Sequence, residues 1–173
     1  MKPMQYTLEQ LNTMPADAFE ATLSGTFEHS PWVAERAARM RPFASVDALH
    51  AAMCEIVANA GDKRQLALID AHPELAGKAA VQGELTAEST REQSGAGLAQ
   101  CSQEEFDTLQ RLNEAYRKKF GFPFILAVRG YDRAGIIANF EARLNNAAED
   151  ELRTSLEQIY SIARFRIDDL VTG

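Results

Sequence analysis

The sequence predicts an all-α fold, a compact single-domain bundle of about eight helices with one short extended segment near 123–128. Three observations carry this. Apolar residues recur at three- and four-residue spacing along most of the 173-residue chain. The breaks between these runs hold helix caps and helix stops rather than hairpin turns. Only one apolar run, F-P-F-I-L-A-V-R-G, is too short for an independent helix, and Pro123 and Gly130 bound it. No second strand candidate accompanies it, so no β-sheet is expected. The length fits one domain, 1–173, and there is no internal repeat, low-complexity tract or linker.

The elements follow in order. A short helix over 7–13 stops near Pro15, and a second covers about 17–24. Pro31 suits the first position of a third helix, which ends before Pro42. Ser45 caps a longer helix whose Val46, Leu49, Met53, Ile56 and Val57 form a buried stripe, ended by Gly61. Asp62 caps the helix that leads to His72, where Pro73 forces the histidine out of the α region. A polar stretch follows. Ser102 and Glu105 then make an S-x-x-E capping box. The helix behind it carries Phe106, Leu109, Asn113, Tyr116 and Phe120 on one face, with Gly121 as a left-handed terminator. After the extended segment come a helix over 133–144, a break at Asn145–Asn146, and a last helix over 148–171.

Composition narrows the function classes. Hydrophobic residues make up 46% and charged residues 25%, the balance of a soluble globular protein. A net charge of −7 disfavours nucleic acid, and none is expected as a partner, since phosphate neutralisation needs clustered Lys and Arg. An anionic small molecule would need a local cation. Cys54 and Cys101 lie in no C-x-x-C and read as free thiols. His29, His50 and His72 have no ligand spacing, so no metal is expected. No signal peptide or membrane span is apparent, and the expected location is cytoplasmic.

Four places carry possible chemistry. His72 either interacts with the last carbonyls of its helix or transfers protons near neutral pH. In S-T-R-E-Q, Ser89, Glu92 and Gln93 share one helix face. Ser89 and Glu92 either cap a helix or, with Gln93, offer a hydroxyl, a carboxylate and a carboxamide to a ureido group. On the last helix, the stripe Leu152, Leu156, Ile159, Ala163 and Leu170 places Arg166 on or beside the inward face, where it needs an anion. The extended segment either packs in the core or turns its backbone N–H and C=O groups to a ligand.

In order, H-P-E-L-A-G-K, E-S-T-R-E-Q-S-G-A-G-L, L-N-E-A-Y-R-K-K-F-G-F-P-F-I-L-A-V-R-G and A-R-F-R-I-D-D-L resemble the 2-oxo-4-hydroxy-4-carboxy-5-ureidoimidazoline (OHCU) decarboxylases. S-P-W-V-A-E-R and R-P-F-A-S extend the likeness toward the N-terminus. The resemblance implies an all-α homodimer without metal or organic cofactor. It implies removal of carboxylate from the anionic substrate OHCU to give (S)-allantoin in urate breakdown. It matches the family's catalytic histidine to His72, its polar helix face to Ser89, Glu92 and Gln93, and its site-lining proline to Pro73. The substrate-clasping segment matches Phe124, Ile125, Leu126, Ala127 and Val128, and the carboxylate-facing arginine matches Arg166. Within this reading His72 and Glu92 are catalytic and the others bind substrate. The competing expectation is an all-α ligand-binding or adaptor protein without catalytic activity.

Overall fold

Side-chain caps at Thr7, Ser45, Thr86, Ser102 and Asp132 start five of the helices in the computed structural model, which describes residues 4–172 and, at Lys78 and Ala79, the backbone alone. The order is β1 (Tyr6–Thr7), α1 (Leu8–Thr13), α2 (Ala16–Leu23), α3 (Trp32–Ala38), α4 (Val46–Ala58), α5 (Asp62–Ala71), α6 (Lys78–Val81), α7 (Ala87–Gly95), a 3-10 turn (Leu98–Gln100), α8 (Gln103–Phe120), α9 (Arg133–Arg143), α10 (Ala148–Leu170) and β2 (Val171–Thr172). Residues 1–3 and 173, the ends of the expected 1–173 domain, lie outside the described residues.

The helical class and the order of the longer helices are as predicted; α6 falls in the stretch read only as polar, where no helix is expected. Ser45 caps α4 by accepting from the Ala48 N–H. Ser102 and Glu105 make the reciprocal box at the start of α8, and Gly121 ends it at φ 82°. Several boundaries differ by about one residue, three of them at caps or chain ends. Pro31 is the N-cap of α3 rather than its first residue. Asp62 is the first helical residue of α5. The last helix stops at Leu170, because Val171 and Thr172 pair in parallel with Tyr6 and Thr7. The expectation of no sheet is thereby corrected. A two-residue ladder is too short to show alternation in sequence, and it uses backbone groups that the adjoining helices leave unpaired.

The chain divides into two compact units. The first holds the described residues up to Ala71 and from Tyr160 onward; the second holds His72–Ile159. In the first unit, Leu11, Phe19, Val33, Leu49, Met53, Val57, Ile69 and Ile167 are fully buried. Arg41 lies over the Phe19 ring at 4.9 Å and donates to the carbonyls of Leu11 and Met14, which ties α1 to the chain before α4. The second unit is built round Tyr116, whose ring lies within 6 Å of Phe120, Phe122, Phe124 and Phe140. Phe124 and Phe140 stack at 3.9 Å. Such aromatic contacts add to the area buried and hold the extended segment down on α8 and α9.

Candidate active site

The turn after α5 is gripped by side chains. His72 is 7% exposed, and Leu75, Ala76 and Gly77 are buried. Ala76 has φ 50°, a left-handed conformation that costs a non-glycine residue roughly 1–2 kcal/mol. It persists because both of its backbone groups are held by glutamines. The Ala76 N–H donates to Gln93 Oε1 at 3.0 Å, and its carbonyl accepts from Gln110 Nε2 at 2.6 Å. Gln93 Nε2 also donates to the Glu74 carbonyl at 3.3 Å, and Asn113 Nδ2 to the Leu75 carbonyl at 3.0 Å. At Gly77 a Cβ would lie 2.7 Å from Glu74 Cβ, so the chain there admits no side chain.

Helix α7 supplies Ser89 and Gln93, both buried, and the half-buried Glu92. The cap of α7 is Thr86, whose hydroxyl accepts from the Ser89 N–H at 3.2 Å. Ser89 and Glu92 therefore lie inside the helix and are not its capping box. Gln93, expected to meet substrate, has both ends of its carboxamide on the His72 turn. It also helps line a cavity of about 510 Å³ with Ala76, Leu98, Cys101 and Phe106. Burial holds the Cys101 thiol above its ordinary pKa.

Phe124, Ile125, Leu126, Ala127 and Val128 are buried in irregular backbone, as the proline- and glycine-bounded run suggests. Several of their backbone groups already have protein partners. The Ala127 N–H donates to Gln158 Oε1 at 2.9 Å, the Ile125 carbonyl accepts from Arg143 Nη1, and the Val128 carbonyl accepts from the Tyr131 N–H. Behind the segment lies an ionic cluster. Glu151 is fully buried and accepts from Tyr116 Oη at 2.6 Å, Arg143 Nε at 2.9 Å and Asn146 Nδ2 at 2.9 Å. Burial, and then the bond to Glu151, push the Tyr116 phenol far above its ordinary pKa. Arg143 also lies over Phe124 at 4.4 Å.

Arg166 belongs to the other unit. It is 4% exposed, so the inward placement read from the helical spacing holds. Nη1 donates to the Gly25 carbonyl at 2.9 Å, and Nη2 lies 3.5 Å from Glu28 Oε2, itself buried.

Sequence reasoning missed Gln110, Arg143, Glu151 and Gln158. Gln110 shares a face with Asn113, which was legible. Glu151 was not, because the stripe was drawn through Leu152 and Leu156. The buried positions here are Glu151, Ser155 and Ile159, and the two leucines are half-buried.

The family model for OHCU decarboxylase matches residues 12–168. The chain belongs to the OHCU decarboxylase family. It is 42% identical over 163 residues to the 2-oxo-4-hydroxy-4-carboxy-5-ureidoimidazoline decarboxylase of Haloferax volcanii, covering 94% of this chain and 95% of that one. It is 43% identical to the uric acid degradation bifunctional protein of Bacillus subtilis, covering 96% of this chain but 33% of that protein. A crystal structure of (S)-allantoin synthase superposes with a TM-score of 0.76 at 28% identity, over 97% of this chain. The match takes in 54% of the synthase, so the chain spans about half its length. A crystal structure of OHCU decarboxylase in the presence of (S)-allantoin shares the fold, with a TM-score of 0.68 at 22% identity, over 84% of this chain and 94% of that one.

Proposed function

We infer that this chain is a carboxy-lyase that decarboxylates OHCU to (S)-allantoin in urate degradation. The observation that carries the reading is a buried histidine on a strained, side-chain-clamped turn in a chain of the OHCU decarboxylase family. A histidine on a turn held this firmly suits proton delivery to a single face of a substrate.

The chemistry asks little beyond that. The C–C bond to the carboxylate breaks heterolytically and releases CO2. The electron pair forms a double bond to the neighbouring, ureido-bearing ring carbon as the ring C=N pair moves onto nitrogen. The hydroxyl then gives up its proton as it becomes the carbonyl. That nitrogen takes one proton and the ureido-bearing carbon takes another on one face, a net uptake of one proton. Because the substrate contains its own electron sink, no pyridoxal or thiamine is required. We assign proton transfer to His72, with Glu92 orienting or charging it. Pro73 lines the site, and Ser89 faces the ureido and ring groups together with the hydrogen and lone pair that the Gln93 carboxamide keeps beyond its bonds to Ala76 and Glu74. Backbone groups of Phe124–Val128 clasp the substrate. Arg166 is assigned to the substrate's negative charge, alongside its pairing with Glu28.

The reading extends to a single domain over 1–173, supported by a family match that runs unbroken through both units. It extends also to a cytoplasmic homodimer. Among the described residues no helix is long and apolar enough to cross a membrane.

The test is direct. OHCU is generated from urate with urate oxidase and hydroxyisourate hydrolase, this protein is added, and (S)-allantoin is followed by circular dichroism. The expected result is accelerated, enantioselective formation that survives dialysis against a chelator. Binding of OHCU without CO2 release would instead make this a ligand-binding protein.

A further inference from the structure

Three side chains of α8 meet three successive residues of the His72 turn in reverse order. Gln110 Nε2 donates to the Ala76 carbonyl at 2.6 Å, and Asn113 Nδ2 donates to the Leu75 carbonyl at 3.0 Å. Arg117 Nε lies 3.4 Å from a Glu74 carboxylate oxygen. The spacing 110, 113, 117 keeps all three on one helix face. We propose that Gln110 and Asn113 are positioning residues that fix the His72 imidazole by holding the carbonyls of the turn behind it. This rests on the proton-transfer role inferred for His72.

Two further observations support it. Asn113 is buried, and its Oδ1 has no hydrogen-bond partner among the described residues. Burying an amide with its oxygen unsatisfied is unfavourable, and the bond from its nitrogen to the buried Leu75 carbonyl has to offset that cost. The donor to Leu75 is what the asparagine adds. The second is the left-handed Ala76. A backbone in a sparsely populated conformation relaxes unless its surroundings over-determine it. The Gln110 and Gln93 amides on its two backbone groups supply that constraint. Arg117 contributes less, since its side chain is 48% exposed and surface ion pairs are weak.

The test uses two readouts, one without substrate. Gln110 is half-buried, so Gln110→Met and Gln110→Lys should both fold. The Met variant loses the donor at nearly constant shape; the Lys variant keeps one. Gln110→Met should lower kcat about 10- to 100-fold, the scale of a small misplacement of a catalytic group, with KM little changed. Gln110→Lys should recover most of that loss. Asn113→Ala should behave like Gln110→Met. In nuclear magnetic resonance, the ring signals of His72 should be a single sharp set in the parent and in Gln110→Lys, and broadened or doubled in Gln110→Met. Folded Gln110→Met with parental kcat and an unchanged His72 ring signal would overturn the proposal. A parent that does not decarboxylate OHCU would overturn the proposed function instead, and the ring signals would still decide whether the clamp exists.

Discussion

His72 and Arg166 are buried cations or potential cations whose replacement should have different consequences. His72→Gln keeps a hydrogen-bonding side chain of similar reach but cannot carry a proton on and off near neutral pH. The expected result is an intact helical spectrum with turnover reduced about 10²–10⁴-fold, the usual contribution of a placed general acid or base. Steady-state kinetics on the folded variant checks it, and near-parental turnover removes His72 from the mechanism. Arg166→Met removes the guanidinium that faces the buried Glu28. Breaking a buried pair from one side costs about 3–5 kcal/mol, so the melting temperature should fall by roughly 10 °C. The assigned contact with substrate adds a second effect: affinity for an allantoin-like carboxylate, measured on the fraction still folded, should weaken by about 2–5 kcal/mol. Calorimetry separates the two, and normal binding by folded Met variant would leave Arg166 a purely structural residue.

Helix α7 shows how two candidate start signals compete within one element. S-T-R-E carries the Ser and Glu of a capping box and T-A-E-S lacks a Glu or Gln at its fourth position, so the local signal favours Ser89 as the cap. The structure uses Thr86. Thr86→Ala should therefore cost about 1 kcal/mol in urea denaturation and leave the turnover of folded protein unchanged, whereas Ser89→Ala should lose turnover without that capping loss. The reverse pattern would return Ser89 to the cap. At α8 the capping box was legible, and it sets a pH dependence. The backbone N–H of Ser102, and then the Arg133 guanidinium, hold the Glu105 carboxyl below its ordinary 4.5. The folded state thus binds this proton less readily than the unfolded chain. Its contribution is complete above about pH 4.5 and is lost as pH falls through the lowered folded value. Glu105→Gln should flatten that acid limb of a melting-temperature profile; an unchanged limb would place the acid sensitivity elsewhere. Periodicity and caps made the helices legible because those signals are local. Glu151 was illegible because a glutamate on a helix reads as solvent-facing. Its burial depends on Arg143 and on Tyr116, 35 residues away. The clamp on the His72 turn was half legible: Asn113 could be placed on a buried face, but not its partner at Leu75.

At the scale of the whole molecule, the proposed homodimer is the property least tied to any local signal. Sedimentation equilibrium should return twice the chain mass of 19.1 kDa at micromolar concentration. A single-chain mass there would remove the dimer from the proposal, with decarboxylation still to be judged by its own assay. Class and helix order were readable at this scale because a chain with one extended run and no partner strand has few other ways to pack. The terminal strand pair escaped notice because two residues carry no period, and its two halves stand at opposite ends of the sequence.

The bond from the Ala76 amide to Gln93 gives the protein an internal clock. Surface turns ordinarily exchange their amide hydrogens with solvent almost at once, whereas those held inside a fold wait for an opening event. Ala76 lies in a turn yet is buried and bonded, so its hydrogen should persist in deuterated solvent far longer than those of the exposed neighbours around Gly83. Its lifetime measures how often the segment carrying His72 lets go, and a ligand that settles against this segment should lengthen it.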